Sequence, residues 1–228
     1  MTASALAPPA ALPDRLGGVL RLFSRQASPR LLAAALAGAL ALRLALGAFS
    51  PWDLVVVAGI LAFWPLQEWL IHVFVLHAEP GRGLARIDPR TPRLHRAHHL
   101  DPWRPELIFI PGHTFVYTLP LLLGIYRVLL PTWPLAFTGV ATHLALALHY
   151  EWVHLLVHTR YRPRTALYRR LWRNHRLHHF KSERLWFGVT MLGGDRLLGT
   201  AADPAAVATS STCRTLGRED DLGAPAGS

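Results

Sequence analysis

The residue type with the most chemical potential in this chain is histidine: there are 13, against 14 carboxylates, in 228 residues. Ten fall into four groups: His72 and His77; His95, His98 and His99; His154 and His158; His175, His178 and His179. Spacings of three and four residues put side chains on one helix face, so the members of the last three groups can converge. His72 and His77 stand five apart, about 140° around a regular helix, so they must flank a centre or the helix must end near Ala78-Glu79-Pro80. The adjacent pairs His98-His99 and His178-His179 diverge by about 100°, too far for both to serve one ion comfortably. Two metal ions therefore fit better than one. Ten neutral imidazoles would supply about five ligands to each and leave room for a small exogenous molecule.

The other polar residues add less. His113, His143 and His149 lack the clustering and read as ordinary polar or packing residues. Glu68 precedes His72 by four residues and Glu151 precedes His154 by three, which places each carboxylate on its histidine's helix face. Each can orient a metal-bound imidazole, or equally pair with a nearby arginine. The lone Cys213 excludes a disulfide scaffold and reads as a tail residue. No HExxH, GxxxxGK[ST] or GxGxxG motif occurs, so electrons for any redox reaction must come from a separate protein.

The elements that must position these histidines are apolar. Between residues 31 and 74 the charged residues are Arg43, Asp53 and Glu68, and between 107 and 150 there is only Arg127. A spanning helix needs about 20 mostly apolar residues. Four segments qualify, 31–49, 54–74, 107–130 and 135–153, arranged as two hairpins. The turn at Ser50-Pro51-Trp52-Asp53 carries a break and a cap, and that at Pro131-Thr132-Trp133-Pro134 also has an interfacial tryptophan. The fold class is thus an all-α integral membrane protein: four transmembrane helices in two hairpins, with a helical cap holding a histidine-rich dimetal site.

Arginine collects in residues 1–30, in the loop between the hairpins and after the fourth span, while the two turns hold none. The positive-inside rule then puts both termini and every histidine group in the cytoplasm, with Arg43 and Arg127 snorkelling toward the opposite face. A cleaved signal peptide fits poorly with a full-length apolar run, and a soluble bundle would show polar faces every turn. The run Arg160, Arg162, Arg164, Arg169, Arg170, Arg173 and Arg176 reads as a patch against anionic headgroups or a face for an acidic electron carrier. Being interleaved with candidate ligands, it does not suit nucleic acid. Residues 201–228 lack periodicity and read as a disordered tail. The alanine- and arginine-rich composition suggests a bacterial inner membrane.

At this point the sequence resembles the fatty acid hydroxylase and sterol desaturase superfamily of integral-membrane di-iron enzymes. The resemblance rests on four motifs in order: His72-Val-Phe-Val-Leu-His77 (HxxxxH), His95-Arg-Ala-His98-His99 (HxxHH), His154-Leu-Leu-Val-His158 (HxxxH) and His175-Arg-Leu-His178-His179 (HxxHH). It covers roughly residues 53–200 and includes the element Trp186-Phe187-Gly188-Val189-Thr190. It is closest to fatty acid hydroxylases. Carotenoid hydroxylases are similar around Asn174 to His179, although their third motif typically has one more residue between its histidines.

The resemblance implies two iron ions on the ten histidines, with zinc able to replace iron in a purified sample. It implies dioxygen as co-substrate and hydroxylation of a lipid, a fatty acyl chain first, with carotenoid hydroxylation or sterol or lipid desaturation as alternatives. The eukaryotic fatty acid 2-hydroxylases carry a fused cytochrome b5 domain that this chain lacks, so an external donor such as ferredoxin, or cytochrome b5 with its reductase, is expected. Candidate substrate-lining groups are Trp64, Phe74, Tyr150, Trp152, Trp186 and Phe187, though interfacial aromatics also serve as anchors. A non-catalytic metal-binding or transport protein is the alternative of another class. That reading expects polar groups along a transmembrane path, and the spans hold only His113, His143, His149 and scattered hydroxyls.

Overall fold

The structure, a computed structural model, describes residues 8–217. Among these every regular element is helical. In chain order they are α1 (Leu16–Arg25), α2 (Ala27–Leu46), α3 (Pro51–Ile71), α4 (Arg90–Leu100), α5 (Pro105–Ile108), α6 (Phe115–Leu129), α7 (Trp133–Val157), α8 (Ala166–Phe180) and α9 (Gly193–Leu197). A π-helical turn, His72–Leu76, continues α3.

Among the described residues three stretches are long and apolar enough to cross a membrane: Ala27–Leu46, Pro51–Leu76 and Pro105–Leu129. Their exposed side chains include Leu44, Leu54, Val55, Phe63, Val116 and Val128, a surface that water would not tolerate. The fourth expected span lies within α7, 25 residues long. His143, His149 and Glu151 interrupt its apolar run, and α2, α3, α6 and α8 all pack on it. A helix enclosed by others keeps its polar groups out of lipid. Leu32 and Ala39 of α2, Phe115 of α6 and Val140, Ala141 and Leu144 of α7 form one core. At Gly139 the absent side chain lets α7 close on Tyr126, whose ring would stand 2.5 Å from a Cβ there.

Two expectations about the spans are corrected. The third is not one continuous helix: α5 ends at Ile108, and an extended stretch through Pro111 leads into a 3-10 turn before α6. Proline lacks the N–H a helix needs, and the freed amide of Ile110 instead donates to Glu151 Oε1 at 2.6 Å. Irregular backbone at this depth is tolerated because protein covers and satisfies it. Arg43 does not snorkel. It is buried, donating to Asp53 Oδ1 at 2.7 Å and to Thr138 Oγ1 at 2.7 Å. An intramembrane charge needs a partner, and this one ties α2, α3 and α7 together at the end opposite the histidines. Ser50 and Asp53 form a capping box, so α3 starts at Pro51 with Asp53 inside its first turn, three residues before the start at residue 54 that the sequence suggested.

The short polar helices α4 and α8 form a cap, packed against the π-turn and α7 respectively. Residues 201–217, expected to be disordered from their composition, instead run back along this cap: Ser210 N donates to the Lys181 carbonyl at 2.8 Å, and Trp186 Nε1 to the Ala202 carbonyl at 3.0 Å. The remainder of that expectation, residues 218–228, lies outside the described residues.

Candidate metal centre

Each histidine motif is delivered by a different helix end. The π-turn presents His72 and His77, α4 presents His95, His98 and His99, the last turn of α7 presents His154 with His158 just beyond, and α8 presents His175, His178 and His179. The start of α4 is fixed by Asp88, whose carboxylate accepts the amides of Arg90 and Thr91 at 3.0 and 3.2 Å. The same carboxylate accepts the hydroxyl of Tyr117 at 2.6 Å and Nε2–H of His113 at 3.2 Å, so α4 is tied to the start of α6.

The ten histidines separate into two sets: His72, His77, His95, His99 and His178; and His98, His154, His158, His175 and His179. Within each set one ring nitrogen per residue lies within 4.8 Å of all the others. The neighbours His98 and His99 fall into different sets, as do His178 and His179, which is the divergence their adjacency on a helix demands. The sets share a wall, where His99 stacks on His179 with ring centroids 4.1 Å apart.

The rings are arranged as ligands. His72, His99 and His178 hold their Nδ1 atoms 2.7, 3.0 and 2.8 Å from the carbonyls of Phe187, Cys213 and Leu185. A carbonyl only accepts, so the proton sits on Nδ1 and the Nε2 lone pair faces the centre. The Nε2 atoms of His72, His95 and His99 are buried with no hydrogen-bond partner among the described residues. Opposed Nε2 atoms stand 3.1 Å apart in His98 and His154 and 3.2 Å apart in His77 and His178, so the ring nitrogens converge in each pair. Burial first, then the surrounding imidazoles, hold His95, His98, His175, His178 and His179 well below the ordinary imidazole pKa. Burial pushes His99 down to about 3 against the opposing pull of the Cys213 carbonyl. Buried neutral donors converging in two sets of five fit two transition-metal ions.

Glu68 and Glu151 act at one remove: neither bonds the histidine it precedes. Glu68 accepts the amides of Val189 and Thr190, the latter at 2.8 Å, and the Thr190 hydroxyl at 2.6 Å. It thereby anchors the loop whose Phe187 carbonyl orients His72. Glu151 accepts the Ser28 hydroxyl at 2.7 Å as well as the Ile110 amide, joining α2 and the broken third span to α7. Sequence reasoning missed Asp195, which is fully buried and accepts the amides of Phe187 and Gly188, both at 2.8 Å. It also missed Asn174, whose amide donates to the Gly188 carbonyl at 2.8 Å. Gly194 brings this loop onto α3: a Cβ there would stand 2.3 Å from the Pro65 carbonyl. The adjacent glycines 193 and 194 are the signal of this close approach in the sequence.

A cavity of about 450 Å³ lies between α3, α6 and α7. Leucines and aromatics line most of it, and it reaches His95 from the first set and His154 from the second. Two of the six aromatic candidates, Tyr150 and Trp64, line it. The other four candidates are elsewhere. Trp152 packs edge-on against Phe23, and Trp186 is buried with its indole bonded to Ala202. Phe187 packs against the rings of His72, His77 and His178, and Phe74 is exposed on the outer surface. Their aromatic character signalled burial or an interface without saying which. The unclustered histidines stay outside both metal sets: His113 bonds Asp88, His143 contacts Gln67 and Tyr126, and His149 packs near Tyr168.

A family model described as fatty acid hydroxylase matches residues 56–200. The chain is 30% identical over 146 residues to the ceramide very long chain fatty acid hydroxylase SCS7 of Saccharomyces cerevisiae, a match covering 63% of this chain and 37% of the yeast protein. It is 27% identical over 165 residues to the dihydroceramide fatty acyl 2-hydroxylase FAH2 of Arabidopsis thaliana, covering 72% of this chain and 67% of that protein. A solved structure of full-length Scs7p, in which only the hydroxylase domain is visible, shares the fold with a TM-score of 0.68, 24% identity, and coverage of 80% of this chain and 68% of the other.

Proposed function

The chain belongs to the fatty acid hydroxylase family, and from that premise we propose that it is a di-iron oxygenase inserting one atom of dioxygen into a fatty acyl chain. The observation that carries this reading is the apolar cavity reaching His95 and His154, one ligand from each set. Two irons there would supply the reductive activation of dioxygen that an unactivated C–H bond requires and that no side-chain acid or base provides.

The protein's part is binding and positioning. Leu119, Leu122, Leu144 and Ala147 offer an acyl chain an apolar lining that keeps water from the reacting carbon. Holding that carbon beside the metal sets converts an encounter into a near-unimolecular step. The imidazoles contribute lone pairs rather than protons, because burial keeps them neutral. Phe187, Leu185 and Cys213 fix three rings in the ligating tautomer.

Electrons would arrive from a separate acidic carrier, a ferredoxin or a cytochrome b5 with its reductase. The basic face of α8 suits it. There Arg176 lies over Trp103 at 4.9 Å and over Trp172 at 4.5 Å, and the Trp103 ring is 6.0 Å from that of His158. In this reading α7 serves as the fourth span, and the arginine-rich cap and both termini face the cytoplasm.

The test is expression with a reductant system under isotopically labelled dioxygen, followed by mass spectrometry of total lipids. A hydroxyacyl product carrying one labelled oxygen supports the reading. A product carrying none, or a new double bond without incorporated label, overturns it.

A further inference from the structure

The two metal sets are not held alike. In the first, His72, His99 and His178 each donate Nδ1–H to a backbone carbonyl, and all three carbonyls follow the last histidine motif, at Phe187, Cys213 and Leu185. In the second, the Nδ1 atoms of His98, His158, His175 and His179 are buried without a hydrogen-bond partner among the described residues, and His154 alone of this set interacts with a backbone carbonyl there, that of Ile108. Carbonyl partners fix ring orientation and raise ligand basicity, so the first set, with three such partners, carries more backbone support than the second.

One of those carbonyls comes from an unexpected place. Cys213 lies beyond residue 200, where the family match ends, in a stretch whose composition reads as tail. Several bonds fix its path. Thr212 Oγ1 donates to Glu183 Oε1 at 2.7 Å, Ser210 Oγ to the same oxygen at 3.2 Å, and Ser210 N to the Lys181 carbonyl at 2.8 Å. Arg214 Nη2 donates to the Leu100 carbonyl, one residue past His99 on the same helix. The Cys213 side chain is itself buried, 5% exposed.

We propose that residues 200–217 form a strap that sets the tautomer and orientation of His99 through the Cys213 carbonyl, and so secures one of the two metal ions and not the other. This rests on the two-ion reading above. Thr212 and Arg214 act as positioning residues: they touch neither metal nor substrate, and hold the carbonyl that holds the ring. The thiol of Cys213 has no part in it.

The test uses the full chain in detergent, loaded with Zn²⁺, with ions counted by mass spectrometry and their release followed with a chromogenic chelator. The unsubstituted chain is expected to hold two ions. In the Thr212→Val, Arg214→Met double variant one ion should leave about 10–100-fold faster, the range typical of lost outer-shell partners, while the other keeps its rate. Thr212→Ser should retain both rates, because its hydroxyl still reaches Glu183. Cys213→Ala should do the same, because the carbonyl remains. Both ions accelerating together, neither accelerating, or a fast phase in Cys213→Ala would each overturn the strap. If the double variant does not fold, Arg214→Met alone carries the same expectation, since it removes only the bond to Leu100. An unsubstituted chain that never holds more than one ion would sink the two-ion reading itself, a result separable from every behaviour of the variants.

Discussion

The backbone N–H of His77 donates to the carbonyl of His72 at 3.0 Å, closing an i→i+5 turn at the end of α3. On a continuing α-helix these two rings would point about 140° apart. The wider π-turn brings them to a centroid separation of 5.0 Å, both in the first metal set. A π-turn at a functional site is a common use of this rare element.

The spacing of five is therefore a requirement of the turn. Inserting one alanine between Phe74 and Val75 makes it six and rotates His77 away from His72. The inserted chain is expected to lose the ion of the first set and keep that of the second. Metal counting on the purified protein checks this, and full retention of both ions would show that the turn is dispensable.

The division into two sets makes single substitutions selective. His178→Ala should weaken the first ion and His98→Ala the second, each variant retaining roughly half the metal when purified, with hydroxylation abolished in both. His143→Ala should spare the metal, because His143 bonds Gln67 and Tyr126 outside both sets. Elemental analysis of the three variants decides. Loss of metal in His143→Ala would mean that the sets are drawn wrongly.

Asp88 links the cap helix α4 to α6. Burial alone would raise its pKa, but hydrogen bonds from Thr91, Tyr117 and His113 outweigh burial and hold its carboxyl well below the usual carboxylate range. A folded pKa below the unfolded one gives stability that is present above the unfolded value, about 3.9, and lost as pH falls toward the folded one. Asp88→Ala should therefore melt at lower temperature at neutral pH, by an amount corresponding to about 0.5–2 kcal/mol for a lost helix cap. The gap from the unsubstituted chain should shrink below about pH 4. Circular dichroism melts in detergent at several pH values test this, and a gap independent of pH would remove the carboxylate from the account.

Ala147 lines the cavity on α7, in the same helix as His154 of the second set. Ala147→Phe should fill part of the volume, leaving metal content unchanged while shortening or abolishing the acyl chains hydroxylated. Product chain-length profiles and metal counts, taken together, check it. Unchanged profiles would place the substrate outside this cavity.

What the sequence by itself determined was everything encoded at short range. Apolar runs of bilayer length marked the helices, Pro51 and Asp53 marked a helix start, and spacings of three and four residues marked the histidine-bearing faces, because a helix repeats every 3.6 residues and lipid admits few charges. The four ordered motifs were enough to name the family. Only the tertiary structure decided how the histidines divide into two sets, since each set mixes residues from the π-turn and α4 with α8, or from α4 with α7 and α8. It alone assigned Glu68 and Glu151 to loop and backbone amides, Arg43 to Asp53 and Thr138, and the Cys213 carbonyl to His99. It also broke the third span at Pro111 and turned an apparent tail into a strap. The reason is one of distance along the chain: Ser28 meets Glu151 across 123 residues and His99 meets Cys213 across 114. A buried polar group must find a partner wherever packing delivers one, and no local periodicity records where that will be.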